Sequence, residues 1–202
     1  MKHFKLIILF IATGVFLAGC IKNDGPVYDA QAQIEKEVPL IESYVDSINE
    51  TGEVLLVKDD EMFIWSQYEP AIPGEPEDPE NPEDPEEEGP YEYTDANGQL
   101  RWPTIKVKYT GRLLDGTIFD EEEEESDFMA LKNLVPSWSV AFFPRAQGGL
   151  TEDGLQVGDK VRFIMPSYWG YGPNSREGIP ANSPLDFEIE VLAINAPGGP
   201  LN

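Results

Sequence analysis

The side chains of this chain restrict its chemistry before any fold is considered. Its only histidine is His3 and its only cysteine is Cys20, both at the N-terminal edge. The part able to form a core therefore has no Ser-His-Asp triad, no Cys-His nucleophile, no histidine-bound zinc and no internal disulfide. Carboxylate chemistry, hard cations bound through oxygen, and catalysis by shape and hydrogen bonding are left. Lys and Arg number 14 against 38 Asp and Glu, a formal net charge of -24, so nucleic acid is not an expected partner. Nine carboxylates lie between Pro73 and Pro90, where Pro73, Pro76, Pro79, Pro82, Pro85 and Pro90 alternate with Glu and Asp. No Asp-x-Asp-x-Asp-Gly loop with a closing Glu occurs there, so calcium binding lacks its usual frame and the segment reads as a solvated spacer. No metal and no cofactor are expected.

The N-terminus reads as an address. A basic start, Met1-Lys2-His3-Phe4-Lys5, precedes an apolar run from Leu6 to Ala18 and then Leu17-Ala18-Gly19-Cys20. Such a run is short for a membrane span and suits a secretory signal peptide. The ending looks like a bacterial lipobox, which implies cleavage before Cys20 and acylation of that residue. The expected location is the bacterial cell envelope, lipid-anchored through Cys20, with the outer membrane as the expected membrane. Several acyl chains hold a protein on a bilayer far better than one. Losing Lys2 and Lys5 makes the remainder more acidic, so the body should stand off anionic headgroups.

Beyond a polar tether, Ile34, Val38, Ile41, Val45 and Ile48 recur at helical spacing within Asp29 to Asn49. This predicts one amphipathic helix, or two pieces broken near Pro39. Its apolar stripe suits packing on the main domain or, alternatively, a partner. Val54 to Val57 and Met62 to Tyr68 are β-rich and suggest a hairpin. Proline and like charge favour an extended, disordered Pro73–Pro90 segment. In the second half, Ile105, Val107 and Tyr109 alternate with lysines, and Leu185, Phe187, Ile189 and Val191 alternate with acids. These are antiparallel strands with one buried face, and Val161 to Met165 adds another. With little room for helices, a helix is expected to cover only one face, which predicts α+β or all-β.

Six ordered blocks then resemble the FKBP family of peptidyl-prolyl cis-trans isomerases. They are Val107-Lys108-Tyr109-Thr110-Gly111, Leu114-Asp115-Gly116-Thr117-Ile118-Phe119-Asp120, Leu134-Val135-Pro136-Ser137-Trp138, Leu155 to Lys160, Pro166 to Gly172, and Ile179-Pro180 with Leu185 to Leu192. The resemblance covers Ile105 to Ile194 and implies an α+β fold: a curled antiparallel sheet of five to six strands around a short helix. The implied organisation is a signal peptide over 1–19, tether and N-terminal helix over 20–53, and first strands over 54–72. A disordered acidic insertion over 73–100, the main domain over 101–195 and a tail over 196–202 follow.

By the same resemblance, Trp138 forms the floor of an aromatic pocket, and Tyr109, Phe119, Phe187, Ile179 and Phe128 its walls, with Leu134 at its edge. The Tyr171 hydroxyl and the Val135 backbone N–H are implied to bond substrate carbonyls, and Asp120 to sit beside Tyr109. Implied partners are proline-containing segments of exported proteins, the membrane through Cys20, and macrolide-type inhibitors. Two stretches depart from the family pattern. Glu121 to Glu125 follow Asp120 with no basic residue, and Ala141 to Gly154 exceeds the usual connection and is placed to reshape the pocket rim. The alternative function is a non-catalytic peptide-binding or chaperone lipoprotein using the same pocket.

Overall fold

The computed structural model describes residues 28–71, 90–124 and 126–195. The signal peptide, Cys20, the acidic stretch up to residue 89 and the tail from 196 lie outside the described residues.

Helix α1 runs Ala30–Asn49 without a break. Asp29 caps it, its side chain accepting from the Ala32 N–H at 3.0 Å, which satisfies one of the free amides of the first turn. Pro39 sits inside the helix on the exposed side. There the carbonyl it leaves without an amide partner is within reach of water, which is why one of the two expected forms, the unbroken helix, is found. Strands follow at β1 (Val57–Asp59), β2 (Ile64–Glu69), β3 (Thr104–Leu113), β4 (Ile118–Glu122) and β5 (Met129–Ala130). Helix α2 (Pro136–Phe142) begins with proline, whose missing amide costs nothing at a first turn. Strands β6 (Lys160–Met165) and β7 (Leu185–Asn195) complete the sheet.

All pairings are antiparallel, in the order β1-β2-β6-β7-β3-β4, with β5 beside β3. The sheet thus has seven strands where five to six were expected, the extra one being the two-residue β5. Alternation sorts each strand. In β6 and β7, Val161, Phe163, Met165, Leu185, Phe187, Ile189 and Val191 face α2 and form the main core with Ile105, Val107, Leu131 and Trp138. Burying each of these large side chains contributes about 1.5–3 kcal/mol.

Both faces of the sheet are covered, not one. On the second face, Ile41 and Val45 of α1 pack on Trp65 and Ile164. The start of β7 is consequently enclosed on both sides, and Asp186, which alternation would leave in water, is fully buried.

Residues 90–100, assigned to the disordered insertion by sequence, are ordered. Tyr93 is buried and its hydroxyl donates to the Leu155 carbonyl at 2.6 Å, while Thr94 bridges Leu100. Composition gives the reason: after Pro90 the acidic repeat yields to Tyr91, Tyr93 and Leu100, which have surface worth burying.

Candidate active site

The cavity between the sheet and α2 is built from rings placed by one helix and three strands. Trp138, one turn into α2, is the floor and is nearly fully buried. Tyr109 of β3 meets it edge-on with ring centres 5.4 Å apart, and Phe187 of β7 does so at 5.7 Å. Phe119 of β4 stands edge-on to Phe187 at 5.6 Å. Such T-shaped contacts match the positive edge of one ring to the negative face of the next. Gly111 makes this closure feasible, because a Cβ there would lie 2.7 Å from the Phe119 ring and 2.8 Å from the Phe187 ring.

The cavity these rings enclose measures about 440 Å³ and is also lined by Asp120, Met129, Asn133, Leu134, Val135, Gly170, Tyr171, Asn174 and Arg176. That volume is in the range of small-ligand sites, about 300–1,000 Å³. Polar groups sit at its rim. Burial, then the neighbouring Asp120 carboxylate and the negative charge of Glu122, push the Tyr109 pKa well above the ordinary value. Burial likewise raises Tyr171, as does the charge of Asp120, while Arg176 opposes the shift. Both phenols therefore stay protonated, and remain donors, at neutral pH. Among the described residues the Tyr171 hydroxyl and the Val135 N–H have no acceptor of their own. Val135 is the residue before α2, with extended backbone, and it precedes a helix whose first amides need partners.

The structure gathers Tyr109, Phe119, Asp120, Leu134, Val135, Trp138, Tyr171 and Phe187 around one cavity. Two expected wall residues are elsewhere. Phe128 lies outside, beneath the Lys106 ammonium at 5.4 Å from its ring centre, and Met129 takes the wall position. Neighbours in an extended chain point to opposite sides, and the pairing of Met129 with Ile105 decides which one faces inward. Ile179 is buried in the main core behind the cavity and does not line it.

The stretch 141–154 also contributes no lining residue. It folds back on the end of α2: Leu150 donates to the Val140 carbonyl at 3.0 Å, Leu155 to that of Phe142 at 3.0 Å, and Arg145 reaches Asp59 at 2.6 Å. The sequence reading missed Met129, Asn133, Asn174 and Arg176. Arg176 stacks over the Tyr171 ring at 5.5 Å and supplies from across the cavity the positive charge that the Glu121–Glu125 run lacks. Its only sequence signal is a cation in the turn ahead of Ile179.

A second depression, of about 390 Å³, lies on the other face of the sheet. Its walls are mostly charged, with Arg162 meeting Glu188 at 3.2 Å and Lys160 meeting Glu190 at 3.8 Å, and it lacks the ring cluster of the first cavity.

Residues 101–192 match the family model of FKBP-type peptidyl-prolyl cis-trans isomerases. The FKBP-type isomerase FkpA of Aeromonas hydrophila is 36% identical over 98 residues, which cover 46% of this chain and 32% of the relative. The peptidyl-prolyl cis-trans isomerase FKBP15-1 of Arabidopsis thaliana is 38% identical over 96 residues, 45% of this chain and 56% of the relative. The chain thus spans between about a third and about half of the length of these two relatives. Among solved structures, FkpA from Escherichia coli superposes with a TM-score of 0.49 at 23% identity, covering 82% of this chain and 64% of that one.

Proposed function

Because residues 101–192 match the family of FKBP-type peptidyl-prolyl cis-trans isomerases, we propose that this protein accelerates cis-trans exchange of X-Pro bonds in exported proteins at the bacterial cell envelope, held there by lipid on Cys20. Rotation about an amide must break resonance behind a barrier of about 18–20 kcal/mol, and X-Pro bonds exchange over tens to hundreds of seconds. No nucleophile is needed to lower that barrier. In the twisted amide the nitrogen lone pair no longer feeds the carbonyl, so the group is less polar than when planar. Transfer from water to an aromatic cavity therefore favours the twisted state, and only such differential binding speeds the step.

Trp138, Tyr109, Phe119 and Phe187 seat the proline ring. The free Tyr171 hydroxyl and Val135 N–H hold the flanking carbonyls, so that the chain on one side of the bond is fixed while the other turns. Asp120, beside Tyr109 at the cavity, faces the rotating carbonyl. The same apolar cavity suits macrolide-type inhibitors. The observation that carries the reading is the edge-on ring set closed on Trp138 with two unclaimed donors at its rim. Every one of these groups is also what a peptide-holding module would use, so turnover is the discriminating measurement. The fragment lacking residues 1–20 should speed exchange in a short apolar-Pro peptide, and Tyr171→Phe should slow it about 2- to 12-fold, the loss of one hydrogen bond. A folded fragment that binds the peptide at the uncatalysed exchange rate leaves only the holding function. For the anchor, Cys20→Ser should move the protein from the membrane to the soluble or unprocessed pool; retention of a mature, detergent-requiring form rejects it.

A further inference from the structure

Helix α1 lies outside the family-matched residues, yet it grips the segment that presents Tyr171. Glu37 is 2% exposed, a position that a carboxylate occupies only when its oxygens are engaged. Its Oε2 accepts from the Ser167 backbone N–H at 2.7 Å, and its Oε1 from the Ser167 hydroxyl at 2.6 Å and from Gln33 Nε2 at 2.7 Å. Ser167 is itself fully buried and opens the turn Ser167–Trp169. Its carbonyl in turn accepts from Gly170 at 2.9 Å and from Gly172 at 2.8 Å, the two residues on either side of Tyr171. One buried carboxylate thus fixes the amide and hydroxyl of the residue whose carbonyl folds the chain around Tyr171. The other end of α1 is tied down separately, by Tyr44 donating to Asp186 at 2.9 Å.

We propose that Glu37 is a positioning residue for the Tyr171 hydroxyl, and that α1, through the Glu37–Ser167 contact, braces the loop 167–172 against the cavity. The proposal rests on the reading of Tyr171 as a group that holds the substrate. Without the carboxylate, the Ser167 N–H and hydroxyl are left in a dry site with no acceptor, so the loop must move to satisfy them. A donor misplaced by about 1 Å can cost about 100-fold in rate, so a small shift is enough to be read in kinetics. Val45, on the apolar stripe of α1, packs in the cluster with Trp65 and Ile164, which makes it the control for a loss of helix packing alone.

The test uses the full-length chain in detergent and compares Glu37→Ala, Glu37→Gln and Val45→Ala. It reads hydrogen exchange at the Gly170 and Gly172 amides beside isomerase kinetics. Glu37→Ala should speed exchange at both amides about 10- to 100-fold, as expected for losing hydrogen bonds to a charged group, and lower kcat/KM by about 10-fold. Glu37→Gln keeps one carbonyl acceptor and should fall between on both readings. Val45→Ala, although it lowers the melting temperature, should leave both readings within about twofold of wild type, because local opening of the loop is not coupled to it. Exchange at the two amides in Glu37→Ala no faster than in Val45→Ala overturns the brace. Should Glu37→Ala not fold, Glu37→Gln and Ser167→Ala decide by the same criterion. Hydrogen exchange needs no turnover, so an inactive wild-type chain would reject the isomerase reading while the amides still judge the brace.

Discussion

The two faces of the sheet are written in the same strands yet finished in opposite ways. On the α2 face, rings meet edge to edge and stop short of filling the space, leaving about 440 Å³ with donors that have no acceptor among the described residues. On the α1 face, the charges around the start of β7 are paired. Arg162 binds Asp186 through Nε at 3.1 Å and Nη2 at 2.7 Å, Tyr44 adds a third bond to that carboxylate, and Arg112 meets Glu188 at 2.8 Å. Phe187 and Asp186 are neighbours in sequence and stand on either side of this divide. The contrast teaches where function is stored: in the face whose contacts are left incomplete, with the saturated face holding the sheet's shape.

Three substitutions can break or sharpen that contrast. The largest effect should come from Trp138→Ala, which removes the floor. Truncating a buried aromatic costs about 3–5 kcal/mol, and isomerase activity should fall more than about 10-fold in protein that remains folded, as measured by denaturant titration and peptide exchange. Asp186→Asn should do the reverse. Breaking a buried ion pair costs about 3–5 kcal/mol, and the low end is expected because Arg162 retains Glu188 at 3.2 Å. Activity per folded molecule should change less than about twofold, since no group at the cavity is touched; a loss as large as that of Trp138→Ala would erase the distinction between the faces.

The smallest effect concerns alkaline stability. Burial, then the charge of Asp186 and the hydrogen bond to it, raise the Tyr44 phenol from its ordinary 10.0 to about 12. The folded state therefore holds this proton more tightly than the unfolded chain. The resulting stability is complete below pH 10.0 and is lost as pH rises towards 12. Urea unfolding across that window should show a decline that is shallower in Tyr44→Phe. An unchanged slope would mean that Tyr44 is not coupled to the buried pair.

Much of the cavity was legible because its residues are large, apolar and fixed to regular elements. Alternation places Tyr109 and Phe187 on the inner face, and the resemblance carried by Leu134 to Trp138 implied the short helix and its floor residue. What escaped depends on geometry that one-dimensional pattern does not carry. Phe128 and Met129 are equally good wall residues until strand register chooses one. Arg176 reaches the rim only through the course of an irregular loop. Glu37 sits three residues after Ile34 and four before Ile41, on the buried stripe of α1. Its polar type nonetheless reads as solvent-facing, because its partner Ser167 is 130 residues away. Tyr93 was misread because its segment was grouped with an acidic tract that ends just before it.

Asp159 is 3% exposed; its Oδ1 accepts from the Ala71 N–H at 2.8 Å and its Oδ2 from the Tyr68 hydroxyl at 2.9 Å and the Gln156 N–H at 2.8 Å. Gln156 Oε1 in turn accepts from the Tyr91 N–H at 2.6 Å. Two points of the chain twenty residues apart are thus fastened to the same short turn. Each doubling of the length between them adds only about 0.6 kcal/mol of closure entropy. Asp159 and Gln156 together therefore act as a clasp whose grip depends only weakly on how much chain runs between its two jaws.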